Sequence, residues 1–209
     1  MLHALGASPS QLAGSLSAPT TSPSVSKFTY LIALASIITA LGIRSILSGF
    51  AWMVTCRTQV KPYPLHIIAA AMVFLMQVEF WWGTFTKRLV AHWRFDHLLF
   101  FLLTPLLYYL VAELLFPSRA PAEISFRDHY WSNFRWFYGI AAIVQLNNVL
   151  VDALMPTDGP STLANLIRLV AFGFLIFMAL AKSEMVHAWT YVVLVALFVL
   201  FVSVVSSKL

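Results

Sequence analysis

Residues 189–205, WTYVVLVALFVLFVSVV, carry no charge and are apolar on every face until Ser203. A helix over this stretch has no polar side to turn to water, so it belongs in lipid or against a partner's helix. With its flanks it reaches the roughly 20 residues that cross the hydrocarbon core of a bilayer. Read back towards the N-terminus, the chain offers five more segments of this kind. The six fall at 28–54, 64–86, 95–116, 129–153, 161–181 and 187–206.

The composition agrees. Of 209 residues, 60% are hydrophobic and 10% charged, whereas a soluble domain carries about a quarter charged residues. Mean hydropathy is +0.83. These values exclude an ordinary soluble domain, a disordered chain and a coiled coil. The expected fold class is all-α: a polytopic membrane helix bundle with six transmembrane helices over 28–209. A Ser/Pro-rich tail, 1–27, precedes it. Its composition cannot bury enough apolar surface to order itself, and it has neither the basic start nor the apolar run of a secretory signal. The net charge of +5 is spread over short loops without a cluster, so nucleic acid is not an expected partner. The lipid bilayer is the expected partner, with a homo-oligomer or a second membrane protein as further candidates. Cys56 is the single cysteine, which excludes an internal disulfide and a multi-cysteine metal site.

The loops punctuate the spans. Pro62 and Pro64 stop one helix and start the next, and the Pro-Gly turn MPTDGPS places Ser161 to cap the fifth. The short AKSEMVH forces an antiparallel hairpin of the last two helices. With six spans both termini share a side. Lys27, Lys87, Arg88, Arg94 and Lys208 flank that side, and Arg57, Lys61, Arg119, Arg127 and Lys182 the other, so the positive-inside rule is balanced. The first three helices do not repeat in the last three.

Ionisable groups within spans are the informative feature, because one left in lipid costs at least ~3 kcal/mol. They are Arg44, Glu79, Glu113, Arg135, Arg168 and, near a helix end, Asp152. From the helical rise, Arg44 lies about 9 Å from the side opposite the termini, with Glu113 and Arg135 about 6 Å from it. Glu79 and Arg168 each lie about 9 Å from the termini side. Two compensated layers follow: Arg44 with Glu113 and Arg135, and Glu79 with Arg168. In the fourth helix Arg135, Tyr138, Ala142, Gln145, Asn148 and Asp152 step by three or four residues and share a face. Such a stripe must face protein or water, as the lining of a pathway or as interhelical glue. In the first helix Ser36, Ala40, Ser48, Gly42, Ser45 and Gly49 are small enough for close approach, which predicts a place inside the bundle or at a subunit contact.

His66, His129 and His187 fall near helix starts, all on the side opposite the termini. Three imidazoles at one level are weak candidates for a metal or haem, since each comes from a separate helix. His92 and Asp96 share a face, but a lone pair in a basic loop is a poor ligand set. No G-x-S-x-G, H-E-x-x-H, Walker loop or G-x-G-x-x-G occurs, so no catalytic residue and no cofactor are assigned.

The runs 30–43, YLIALASIITALGI, and 77–82, QVEFWW, resemble those of a family of small six-helix bacterial inner-membrane proteins. That resemblance implies a bacterial inner membrane and a similar helix count, and no activity. The leading functional expectation is a small transport or channel-like protein with Arg44, Glu79, Glu113, Arg135, Tyr138, Gln145, Asn148, Asp152 and Arg168 around its polar interior. The alternatives are an accessory or scaffold subunit whose polar groups only hold helices together, and a redox or lipid-modifying enzyme using the histidines.

Overall fold

The structure is a computed structural model that describes residues 27–90, 93–117, 124–155 and 162–206. The tail up to residue 26, His92 and the Ser161 cap lie outside the described residues. Six α-helices account for nearly all of it: α1 (Lys27–Thr55), α2 (Pro64–Gly83), α3 (Phe95–Leu115), α4 (Phe126–Leu154), α5 (Thr162–Leu180) and α6 (Glu184–Ser206). All six are long and apolar enough to cross a membrane. The protein is an integral membrane protein.

Local chemistry sets the helix ends. Pro64 starts α2 because its fixed φ suits the first helical position and its missing N–H is not needed there. Phe116 is extended (φ −118°, ψ 140°) and ends α3, as expected of a residue before a proline, here Pro117. A 3-10 turn over Thr84–Leu89 tightens the end of α2. Two helices begin three residues earlier than their apolar runs imply. Ser125 Oγ accepts the Asp128 N–H at 3.3 Å, and this cap lets the polar FRDH enter α4. Glu184 in the first turn of α6 complements the helix dipole in the same way.

α3, α4 and α5 pack in a row, with α1 outside α3. α2 lies across α1, α3 and α4, and α6 across α5 and α2. The largest buried cluster is centred between these layers, with Ala69, Ala70, Ala112 and Ala142 permitting close approach and Phe126, Phe134 and Met178 filling the gaps. On the side opposite the termini, a two-residue β1 (Val60–Lys61) pairs in parallel with β2 (Ile124–Ser125), joining the α1–α2 and α3–α4 loops.

α1 corrects an expectation. It is peripheral, not interior. Its glycines meet the bundle: a Cβ on Gly42 would fall 2.3 Å from Gln77 Oε1 of α2, and one on Gly49 would strike the Phe116 ring. Tyr30, Leu34, Ile37, Leu41 and Leu47 stay exposed on the outer face. α6 also lies at an edge, burying His187, Thr190, Tyr191, Leu194 and Phe201 and exposing Val192, Val195, Val199 and Leu200.

Candidate functional site

A cavity of about 70 Å³ lies between α2, α3, α4, α5 and α6. Five residues of the predicted interior line it, from three helices: Glu79 from α2, Tyr138, Gln145 and Asn148 from α4, and Arg168 from α5. Tyr108 of α3 and Tyr191 of α6 complete its polar lining. Met72, Met76, Leu175 and Leu194 supply much of the apolar remainder.

Towards the termini the cavity leads to a compact charged cluster. Asp152 pairs with Lys87 at 2.9 Å through one oxygen and with Arg168 through the other. Lys87 and Asp152 side chains are only 8% and 7% exposed. Arg168 also donates to Asn165 Oδ1 at 3.0 Å, and its guanidinium lies over the Phe201 ring at 4.8 Å. The predicted Glu79–Arg168 pair is therefore replaced. Arg168 binds Asp152, and Glu79, which faces the same cavity, makes no hydrogen bond or ion pair among the described residues. The reason is helix register: Asp152 and Arg168 face each other across the α4–α5 hairpin, and the 3-10 turn after Gly83 carries Lys87 back under them.

Away from the termini the cavity leads into a neutral chain. Tyr191 Oη lies 2.5 Å from Tyr138 Oη, which lies 2.6 Å from Tyr130 Oη. Tyr130 Oη in turn lies 2.6 Å from His187 Nδ1. His187 Nε2 faces only carbonyls, Ala181 O at 2.8 Å and Met178 O at 3.1 Å. In a neutral imidazole that nitrogen must carry the proton, leaving Nδ1 as an acceptor. Tyr130 then donates to His187, Tyr138 to Tyr130, and Tyr191 to Tyr138. Every hydroxyl proton is committed, and the chain has one direction.

The other two histidines cap α3. His66 Nε2 donates to Leu115 O at 2.7 Å, and His129 Nε2 to Leu114 O at 3.0 Å. Histidines suit this task because the last carbonyls of a helix lack intrahelical donors. His187 does the same for α5. The three thus serve two separate helix ends instead of converging, and no group of three metal-ligating side chains occurs among the described residues.

The stripe on α4 divides. Tyr138, Gln145, Asn148 and Asp152 face inwards, whereas Arg135 is exposed beside Trp136, its guanidinium 5.8 Å from the Phe134 ring. Asn148 Oδ1 also accepts from Thr104 at 2.9 Å, and Asn147 donates to Thr104 Oγ1 and to Phe100 O. The latter two contacts lie beside Pro105, which removes a backbone donor from α3. Arg44 and Glu113 meet across one groove, but on the outer side of α1 and α3, and no ion pair within 4 Å joins them among the described residues.

Sequence reasoning missed Lys87, Tyr130, Tyr191 and the role of His187. Lys87 read as part of a basic loop. Tyr130 lies inside the predicted fourth span, two turns before Tyr138, but the stripe read from the sequence starts at Arg135. No family of known proteins, characterised protein or solved structure matches this chain.

Proposed function

We propose that this is a small channel-like transport protein of a bacterial inner membrane that passes protons through the interior alongside α4. One observation supports the reading: polar groups follow one another along the bundle, from Lys87–Asp152–Arg168, through the cavity with Glu79, to the tyrosines and His187. A cavity of about 70 Å³ has room for a few waters, and the site is polar enough to hold them. Hydroxyl chains carry protons without a continuous pore, because each oxygen accepts one proton as it gives up another. Protonating His187 reverses the direction of all three tyrosine bonds. Release from Nε2 at the α5–α6 turn leaves the other proton on Nδ1, so the starting direction returns only when that proton passes to Nε2 and the three hydroxyls rotate back. Glu79 is the carrier at the other end. With Glu79 ionised, its charge and those of Lys87, Asp152 and Arg168 sum to zero; with Glu79 protonated, one positive charge is uncompensated and discourages a second proton from entering.

The test is proton uptake into liposomes reconstituted with purified protein, driven by a potassium diffusion potential and read with an internal pH dye. Wild-type protein should acidify the lumen, and Glu79→Gln and Tyr138→Phe should each remove most of that flux. Lumens that stay at the rate of protein-free liposomes would end the reading. A scaffold role is favoured by one contact set, Thr104 with Asn147 and Asn148, which ties α3 to α4 whether or not anything moves. It predicts no flux and a stable complex with a second membrane polypeptide.

A further inference from the structure

The groove between α1 and α3 holds two opposite charges that do not pair. It measures about 320 Å³ and is lined by Arg44, Ser48 and Trp52 of α1 and by Tyr109 and Glu113 of α3. Arg44, Ser48 and Glu113 are all exposed, turned away from the bundle and towards lipid. Charged side chains at this level are almost always compensated. Here each faces the other across a shared groove, yet no ion pair within 4 Å forms. The space between them suits a ligand that carries both charges.

The levels of the two charges specify which way round that ligand sits. α1 and α3 run in the same direction, and Gly49 lies level with Phe116, since a Cβ there would enter its ring. Arg44 is five helical residues below Gly49 and Glu113 three residues below the extended Phe116, so the Arg44 backbone is the deeper by at most about 3 Å. α3, at about 31 Å, matches the hydrocarbon thickness, so its end at Leu115 marks the edge of the hydrocarbon core and the groove opens towards the headgroups. In a phospholipid the phosphate lies nearer the acyl chains and the amine further out. In this groove the cation stems from the deeper backbone position and the anion from the outer one.

We infer that this groove binds a phosphatidylethanolamine-type lipid, its phosphate on Arg44 and its ammonium on Glu113. The guanidinium matches a phosphate with parallel N–H donors, and the ammonium N–H groups give the carboxylate charge-assisted hydrogen bonds that a quaternary choline cannot. Ser48 and Tyr109 offer hydroxyls for the remaining phosphate and ester oxygens. Exposed Leu41 on the deeper α1 turn and Leu106 and Leu110 on α3 flank the path of the acyl chains. The assignment is independent of any transport through the interior.

The test is native mass spectrometry of the whole protein released from nanodiscs of equal parts phosphatidylethanolamine, phosphatidylcholine and phosphatidylglycerol. Wild-type protein should retain one phosphatidylethanolamine per chain, at least tenfold enriched over the other two. Arg44→Gln and Glu113→Gln should each abolish that enrichment. The swap Arg44→Glu with Glu113→Arg keeps both charges but inverts their depths, and should lose the lipid while the protein stays folded by circular dichroism. Equal retention of choline lipid, or preference for phosphatidylglycerol unaffected by Glu113→Gln, overturns the assignment. So does a lipid-free dimer that Glu113→Gln dissociates, since a second copy would then fill the groove.

Discussion

The two ends of the interior bury polar groups beneath opposite membrane surfaces with different chemistry. Near the termini the groups are ions: Lys87, Asp152 and Arg168 hold one another, with Asn165 and the Phe201 ring taking up the rest of the guanidinium. At the far end they are neutral: three phenols and an imidazole, each donating once. The ionic end depends above all on Asp152, because deleting it leaves two buried cations without a counterpart, whereas deleting either cation leaves one pair intact. The neutral end tolerates deletion better but depends on direction. One end fixes structure by charge and the other by proton placement.

The largest effect should come from Asp152. Asp152→Ala leaves two buried cations facing each other and should cost about 3–5 kcal/mol of stability, read as a lowered unfolding midpoint in detergent micelles. Adding Lys87→Met to that variant should recover part of the loss, because one unpaired charge goes with it. A loss below about 1 kcal/mol, the range of solvated pairs, would mean that both cations reach water independently and would erase the contrast between the two ends.

His187→Ala should come next, at about 1–3 kcal/mol, since it strands the Tyr130 proton and the carbonyls of Met178 and Ala181 at the end of α5. Tyr138→Phe should cost less, about 1 kcal/mol, as the ring still packs and Tyr130 keeps its bond to His187. If Tyr138→Phe proves as damaging as Asp152→Ala, the neutral end is no more forgiving than the ionic one. The smallest effect is expected outside both ends. Arg127 pairs with Glu184 at 2.5 Å where α4 and α6 start, but both side chains are largely exposed. Arg127→Ala should leave the unfolding midpoint unchanged, and a clear shift would show that this surface pair belongs to the far end's framework.

The six helices were legible because each is an apolar run of crossing length between prolines, glycines or charges. The starts of α4 and α6 were not, because their first turns are polar and look like loop. Depth was legible from the rise per residue, and it placed Arg44 and Glu113 in one layer, about 3 Å apart. Azimuth was not. Whether Arg44 or Arg135 faces in or out depends on which neighbour each helix meets, and the sequence does not state that α1 packs outside α3. Lys87 stayed hidden because a 3-10 turn, not the α-helical period, directs it to Asp152. The histidines were placed correctly at helix starts, but a donor to a backbone carbonyl has no sequence signature, since every residue has a carbonyl.

The histidine caps also impose an order on synthesis. His187 closes on carbonyls made six and nine residues earlier, and His129 on one made fifteen earlier, so each finds its acceptor already present as it leaves the ribosome. His66 is different. Its acceptor, Leu115 O, is translated 49 residues after it. His66 therefore waits without its acceptor until the whole of α3 has been made. The first three helices must settle together, while α4 and α6 can each lock onto a neighbour as they emerge.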